Sequence, residues 1–151
     1  IYYTAKQQFN CHFDYTVFWK EATRGRTLAK AIAYATERGD ERQVRFQNIL
    51  KRVGFEVRLQ PYVQRADGSA KGDWDVGIAL DMAEYAKDVN TVILASGDGD
   101  FADAVGMIVR KFGVRVEVYG VRQRTANSLI QSASSFVSIE GDMLRPISPT
   151  L

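Results

Sequence analysis

Thr91-Val92-Ile93-Leu94-Ala95-Ser96-Gly97-Asp98-Gly99-Asp100-Phe101 is the stretch on which the fold turns. Its first five residues form an unbroken apolar run, the pattern of a strand buried on both faces of a parallel sheet. In open α/β sheets ligands settle at the carboxyl ends of the strands, and this strand ends in two carboxylates, Asp98 and Asp100. Gly97 and Gly99 permit backbone angles that let the turn present both acids on one rim before the next helix begins.

Outward from this stretch, helical and extended patterns alternate. Residues 14–22 read as a helix with Val17, Phe18 and Ala22 on its buried face and Asp14 as N-cap. Residues 28–36 read as a strand, residues 40–53 as a helix with Val44, Phe46, Ile49, Leu50 and Val53 inward and Gly54 as its stop, and residues 55–60 as a strand ended by Pro61. Residues 63–72, with Asp67-Gly68-Ser69, read as a polar, mobile loop. Residues 73–87 are helical, with Ile78, Ala79, Met82, Ala83 and Ala86 as the apolar set. Beyond the central strand come a helix over 101–112 capped by Gly113, a strand over 114–119, a short helix over 125–133 and a strand over 136–139. Residues 141–151, with Pro146 and Pro149, read as an irregular tail or the start of a linker. This alternation implies a three-layer α/β/α domain with a mainly parallel sheet and right-handed crossovers.

The 151 residues, 46% hydrophobic and 25% charged, suit one globular domain with a full core. No apolar run approaches the roughly 18–20 residues that span a bilayer, and no leader pattern opens the chain. A single cysteine, Cys11, cannot form an internal disulfide, and a cytoplasmic location is expected. The net charge of +2 hides an asymmetry. Residues 73–103 hold eight acids and one base, while the other 120 residues hold 19 bases and 10 acids. An acidic focus on a basic body suits a site that holds a divalent cation with a polyanion around it, although a charge run is also what an ordinary solvated face looks like.

The block Lys71-Gly72-Asp73-Trp74-Asp75-Val76-Gly77-Ile78-Ala79-Leu80-Asp81-Met82, followed by residues 91–101 and then 114–120, resembles the NYN domain family, LabA-like proteins included, of the PIN-like ribonuclease superfamily. The resemblance covers nearly the whole chain, residues 1–140. It implies a metal-dependent endoribonuclease with acids clustered at the carboxyl edge of the sheet. Relatives open with a strand ending in an acid-containing turn and an asparagine, followed by residues like Ile1-Tyr2-Tyr3. A first strand and a first catalytic aspartate are therefore expected to precede Ile1, since a parallel sheet lacking a central strand leaves backbone groups unpaired. Where relatives carry an acid before the final strand, this chain has Ser134-Ser135.

Hydrolysis of a phosphodiester requires negative charge to be neutralised on the phosphate and a water to be made nucleophilic, and carboxylate-held Mg²⁺ or Mn²⁺ does both. With the resemblance, the ligand and catalytic set becomes Asp75, Asp98 and Asp100. Without it, Asp73 or Asp75 is as well explained as a first-turn acid favoured by the helix dipole. Asp81 lies six positions after Asp75, about 240° around a helix, so it belongs behind the ligands or on the surface. A calcium-binding loop starting at Asp98 fails because its twelfth position is Val109, not the bidentate acid required. The Gly-Asp-Gly-x-x-x-Asp pattern also resembles the fourth motif of haloacid-dehalogenase-type phosphatases, whose Asp-x-Asp nucleophile turn is not visible here.

Arg65 and Lys71 lie near the two ends of the 63–72 segment, residues 34–36 end a strand, and Ser96 follows another; these could contact phosphate or stack a base of single-stranded RNA. Ser96 could equally cap the Asp98 turn, and an exposed arginine is most often simply solvated. His12 has no partner in the sequence pattern. The expected partner is RNA, with no membrane and with a homodimer left open. The rival to a nuclease is a catalytically silent RNA-binding or regulatory module with the same fold and acids.

Overall fold

The computed structural model describes all residues except 38, 62, 65–69, 72–74 and 148–151, and only the backbone of residues 2–4, 37, 61, 63, 64, 70 and 71. In chain order the elements are α1 (Tyr2–Phe9), β1 (Cys11–Phe13), α2 (Tyr15–Thr23), β2 (Ile32–Glu37), α3 (Glu41–Val53), β3 (Glu56–Pro61), β4 (Val63–Gln64), β5 (Ala70–Lys71), α4 (Asp75–Ala86), β6 (Thr91–Ala95), α5 (Ala102–Phe112), β7 (Arg115–Gly120), α6 (Asn127–Ser132), β8 (Ser135–Ser138) and β9 (Leu144–Pro146). Single 3₁₀ turns cover Gly99–Phe101, Arg122–Arg124 and Gly141–Met143. The chain divides into two compact units, Ile1–Ala22 with Ala79–Leu151, and Thr23–Ile78.

The first unit is built on a parallel sheet in the order β6-β7-β8, the mixed α/β, mainly parallel architecture expected. Its central strand is buried on both faces from Val116 to Gly120, with Val116 and Val118 wholly without exposure, and α5 and α6 contribute Val105, Ile108 and Leu129, all without solvent exposure. Burying each of these branched side chains contributes about 1.5–3 kcal/mol. Gly113 ends α5 with φ 64°, a left-handed cap that glycine adopts without steric cost. Ser134 clamps the start of β8 to β7: its N–H donates to the Val116 carbonyl at 2.8 Å and its hydroxyl accepts from the Val116 N–H at 3.0 Å. A serine thus does structural work where relatives were expected to carry an acid.

Asp14 caps α2 as the sequence implied, its Oδ1 accepting from the Thr16 and Val17 N–H groups, both at 3.1 Å. Phe18, buried on α2, stands edge-to-face on Tyr119 of β7 with ring centroids 5.2 Å apart. Two features of this unit differ from the sequence expectation. Residues 1–13, to which no element was assigned, form α1 and β1. Residues 141–146 are ordered: β9 pairs antiparallel with β1 in the register Cys11↔Pro146, and the Asp14 N–H donates to the Met143 carbonyl at 2.8 Å.

The second unit holds the parallel pair β2-β3 with α3. Asp40 caps α3 by accepting from the Gln43 N–H at 2.7 Å, and Gly54 closes it. Leu50 and Gln47 form its buried face, so Val44 and Ile49, expected inward, are about half exposed (50% and 48%). Ile49 lies about 100° around the helix from Leu50, and Val44 about 240°, which carries both off the face that Leu50 fixes. The strand expected from residue 28 begins only at Ile32, leaving Leu28 exposed. The segment read as a mobile loop has paired ends, with Val63 opposite Lys71 and Gln64 opposite Ala70. Glu56 sits between Lys30 at 3.3 Å and Arg58 at 3.0 Å, and chiefly the Lys30 hydrogen bond holds its carboxyl below the usual carboxylate range.

Candidate metal centre

Because β6 and β7 run parallel and pair Ala95 with Tyr119, the segments leaving both strands emerge at one sheet edge. The Ser96 N–H donates to the Tyr119 carbonyl at 3.0 Å, carrying the ladder one residue past the strand. The turn that follows is closed by its own side chains. Ser96 Oγ accepts from the Asp98 N–H at 3.1 Å, and Asp98 Oδ1 accepts from the Asp100 N–H at 2.9 Å. Asp98 is therefore the N-cap of the Gly99–Phe101 turn, and Phe101, buried at 3% exposure, anchors it. Both carboxylates are exposed at the rim, with Oδ2 of Asp98 left over for a ligand.

Asp75 is the first residue of α4 and is half-buried, an acid placed where the helix dipole favours negative charge. One carboxylate oxygen from each of Asp75, Asp98 and Asp100 lies within 4.8 Å of the others. Mg²⁺ and Mn²⁺ take oxygen ligands, and at about 2.1 Å from the ion two ligands are at most about 4.2 Å apart. All-carboxylate donors at this spacing fit a hard divalent cation after small side-chain rotations. Among the described residues, no lysine or arginine forms a salt bridge with Asp98 or Asp100. Asp81 is outside this group.

The remaining sequence candidates fare differently. Ser96 is at the edge, its oxygen engaged in the Asp98 turn and its proton free to donate elsewhere. Arg65 and the side chain of Lys71 lie outside the described residues. Tyr34, Ala35 and Thr36 lie on β2, in the second unit.

Sequence reasoning overlooked the segment after β7. The Ala126 N–H donates to the Gly97 carbonyl at 3.0 Å, and Gly97 and Gly99 face this segment so closely that a Cβ on Gly97 would lie 2.5 Å from the Arg124 carbonyl oxygen and one on Gly99 2.9 Å from Ala126 Cβ. The exposed Arg122, Gln123 and Arg124 are thus held against the acidic turn. The signal that could have found them is the rule already applied to β6: the residues following a parallel strand reach the same edge.

A profile of the NYN domain matches residues 1–140. The crystal structure of a protein of unknown function from Vibrio parahaemolyticus is similar at 50% sequence identity, covering 95% of this chain and 89% of that chain, with a TM-score of 0.90. A PLP-bound aminotransferase structure from Clostridium difficile matches at 16% identity over 78% of this chain and 33% of that chain, with a TM-score of 0.33, too low to bear on fold or function. Among curated proteins none matches this chain. A family match over more than nine-tenths of the sequence, on a parallel α/β framework with its acids at the carboxyl edge, leads to one conclusion: the chain belongs to the NYN domain family of the PIN-like superfamily.

Proposed function

We propose that this protein is a metal-dependent endoribonuclease, with residues 1–140 as its NYN domain, that hydrolyses RNA phosphodiester bonds. NYN domains are nuclease-type domains with RNA-related roles, and the observation that carries the reading to this chain is the convergence of Asp75, Asp98 and Asp100 within 4.8 Å. These three acids would hold Mg²⁺ or Mn²⁺. The cation, when bound, supplies charge neutralisation at the scissile phosphate and acidifies an attacking water. The chain's own part is positioning. The Asp98 cap fixes the turn, α4 delivers Asp75 from its first residue, and the Ser96 hydroxyl is within the same edge to donate to a phosphate oxygen. Lys71 and Arg65 are assigned to RNA backbone contacts, and Asp81 to support from the side of α4.

The test is cation dependence. Labelled single-stranded RNA is expected to be cleaved in Mn²⁺, to remain intact in EDTA, and to be cleaved again when excess Mn²⁺ is restored. At a cation concentration about a hundred times its Kd, linkage adds about 2.7 kcal/mol of stability, visible as a raised melting temperature. Cleavage that persists in EDTA overturns the metal assignment. Binding without cleavage in either cation makes the chain a non-catalytic RNA-binding module.

A further inference from the structure

The segment between β7 and β8 carries positive charge and no acid of its own. From Val118 to Ile139 the sequence contains Arg122 and Arg124 and no aspartate or glutamate. Each guanidinium is held by an uncharged partner: Arg124 Nε donates to the Gln8 side-chain oxygen at 3.3 Å, and Arg122 lies over the Phe136 ring, 5.8 Å from its centroid. Among the described residues neither pairs with a carboxylate, although the acidic turn is the neighbouring segment. A guanidinium offers five N–H donors in a planar fork, so a single contact to Gln8, or a stacking contact to Phe136, orients the group and leaves most donors facing solvent.

Arg122 and Arg124 are fixed to the metal centre through backbone. The Ala126 N–H to Gly97 carbonyl bond at 3.0 Å and the contact of Gly97 with the Arg124 carbonyl oxygen join their segment to the residue preceding Asp98. The Arg124 N–H to Val121 carbonyl bond at 2.9 Å and the Thr125 hydroxyl to the same carbonyl at 2.7 Å set the turn that displays both side chains. One sheet edge therefore carries an acidic group suited to a cation and, beside it, two oriented cations suited to phosphates.

We propose that Arg122 and Arg124 are the phosphate-binding rim of the site, gripping the backbone of a single RNA strand next to the phosphate presented to the acids. This inference rests on the nuclease reading for the meaning of the acidic group, but its own ligand, an RNA backbone, is tested without turnover. Arginine suits the role because its fork matches phosphate oxygens bidentately, and backbone contacts of this kind position a strand without reading its bases.

The experiment measures binding of a fluorescein-labelled oligouridylate of about 12 nucleotides by anisotropy in EDTA, at salt concentrations from about 50 to 200 mM. The proteins compared are the full chain, the double variant Arg122→Gln/Arg124→Gln, the double variant Arg122→Lys/Arg124→Lys, and Asp98→Asn. The glutamine pair is expected to bind about tenfold more weakly near 100 mM salt, and the slope of log affinity against log salt to fall by about 1.4, the loss of two phosphate contacts to a single strand. A purely structural role for the arginines would not move that slope. The lysine pair keeps it, and Asp98→Asn binds at least as tightly as the parent. If the glutamine pair fails to fold, the single variants carry the same test, each lowering the slope by about 0.7. An unchanged slope with affinity within twofold, or no binding by the parent chain, overturns the rim. Cation-dependent cleavage that survives in the glutamine pair at unchanged affinity sinks the rim alone, whereas lost affinity in that pair with no cleavage by the parent sinks the nuclease reading alone.

Discussion

Asp98→Asn is expected to reduce Mn²⁺-dependent RNA cleavage by at least about 100-fold while leaving the fold intact. The argument lies in the division of labour between its two oxygens. Oδ1 accepts the Asp100 N–H at 2.9 Å and so holds the turn, a task an asparagine carbonyl performs equally well. What asparagine removes is the negative charge, and with it most of the affinity for a hard cation. Asp98→Ala would remove both, costing about 1 kcal/mol of stability through the lost cap, which makes it the poorer probe. Measuring cleavage rates at saturating Mn²⁺ beside thermal unfolding separates the two effects. Cleavage within a few-fold of the parent rate would remove Asp98 from the catalytic set.

Gly97→Ala is expected to cost about 2 kcal/mol of stability and to weaken cleavage as well. The new methyl would stand 2.5 Å from the Arg124 carbonyl oxygen and 3.2 Å from the Thr125 hydroxyl, and the first of these is backbone, which cannot swing aside as a side-chain end can. Relief requires the Arg122–Ala126 segment to back away, stretching the Ala126 to Gly97 hydrogen bond. The acids and the arginines would then separate together. Urea unfolding gives the stability change, and RNA affinity measured on the folded fraction gives the second effect. A variant as stable as the parent would show that the two segments yield without strain.

The features legible in the sequence were those set by near neighbours. The β6 strand and its turn follow from a five-residue apolar run and from glycines flanking two aspartates. The Asp14 cap acts on N–H groups only two or three residues away. The features missed depend on distant partners. Three-residue β1 exists because β9 lies against it from the other end of the sequence, and no alternation over three residues announces that. Val44 and Ile49 look like core residues by type, yet the face of α3 is chosen by Leu50 and Gln47. Arg122 and Arg124 drew no expectation from the sequence because the bond that brings them to the acids, Ala126 to Gly97, spans a whole helix and strand. The convergence of Asp75 with Asp98 and Asp100 came from the family resemblance, since helical spacing by itself explains Asp75 equally well as a dipole-favoured acid.

The pairing of β9 with β1 bears on where this domain can be cut. The NYN match stops at residue 140, short of Leu144–Pro146. A fragment trimmed there would strip the Cys11–Phe13 ribbon of its ladder, silence the Met143 carbonyl's hold on the Asp14 N–H, and discard Arg145, whose Nε lies 3.6 Å from the Asp14 carboxylate. The bared ribbon would offer its N–H and C=O groups to a second molecule, so clumping of such a fragment would report a severed seam and nothing about the partners of the intact protein.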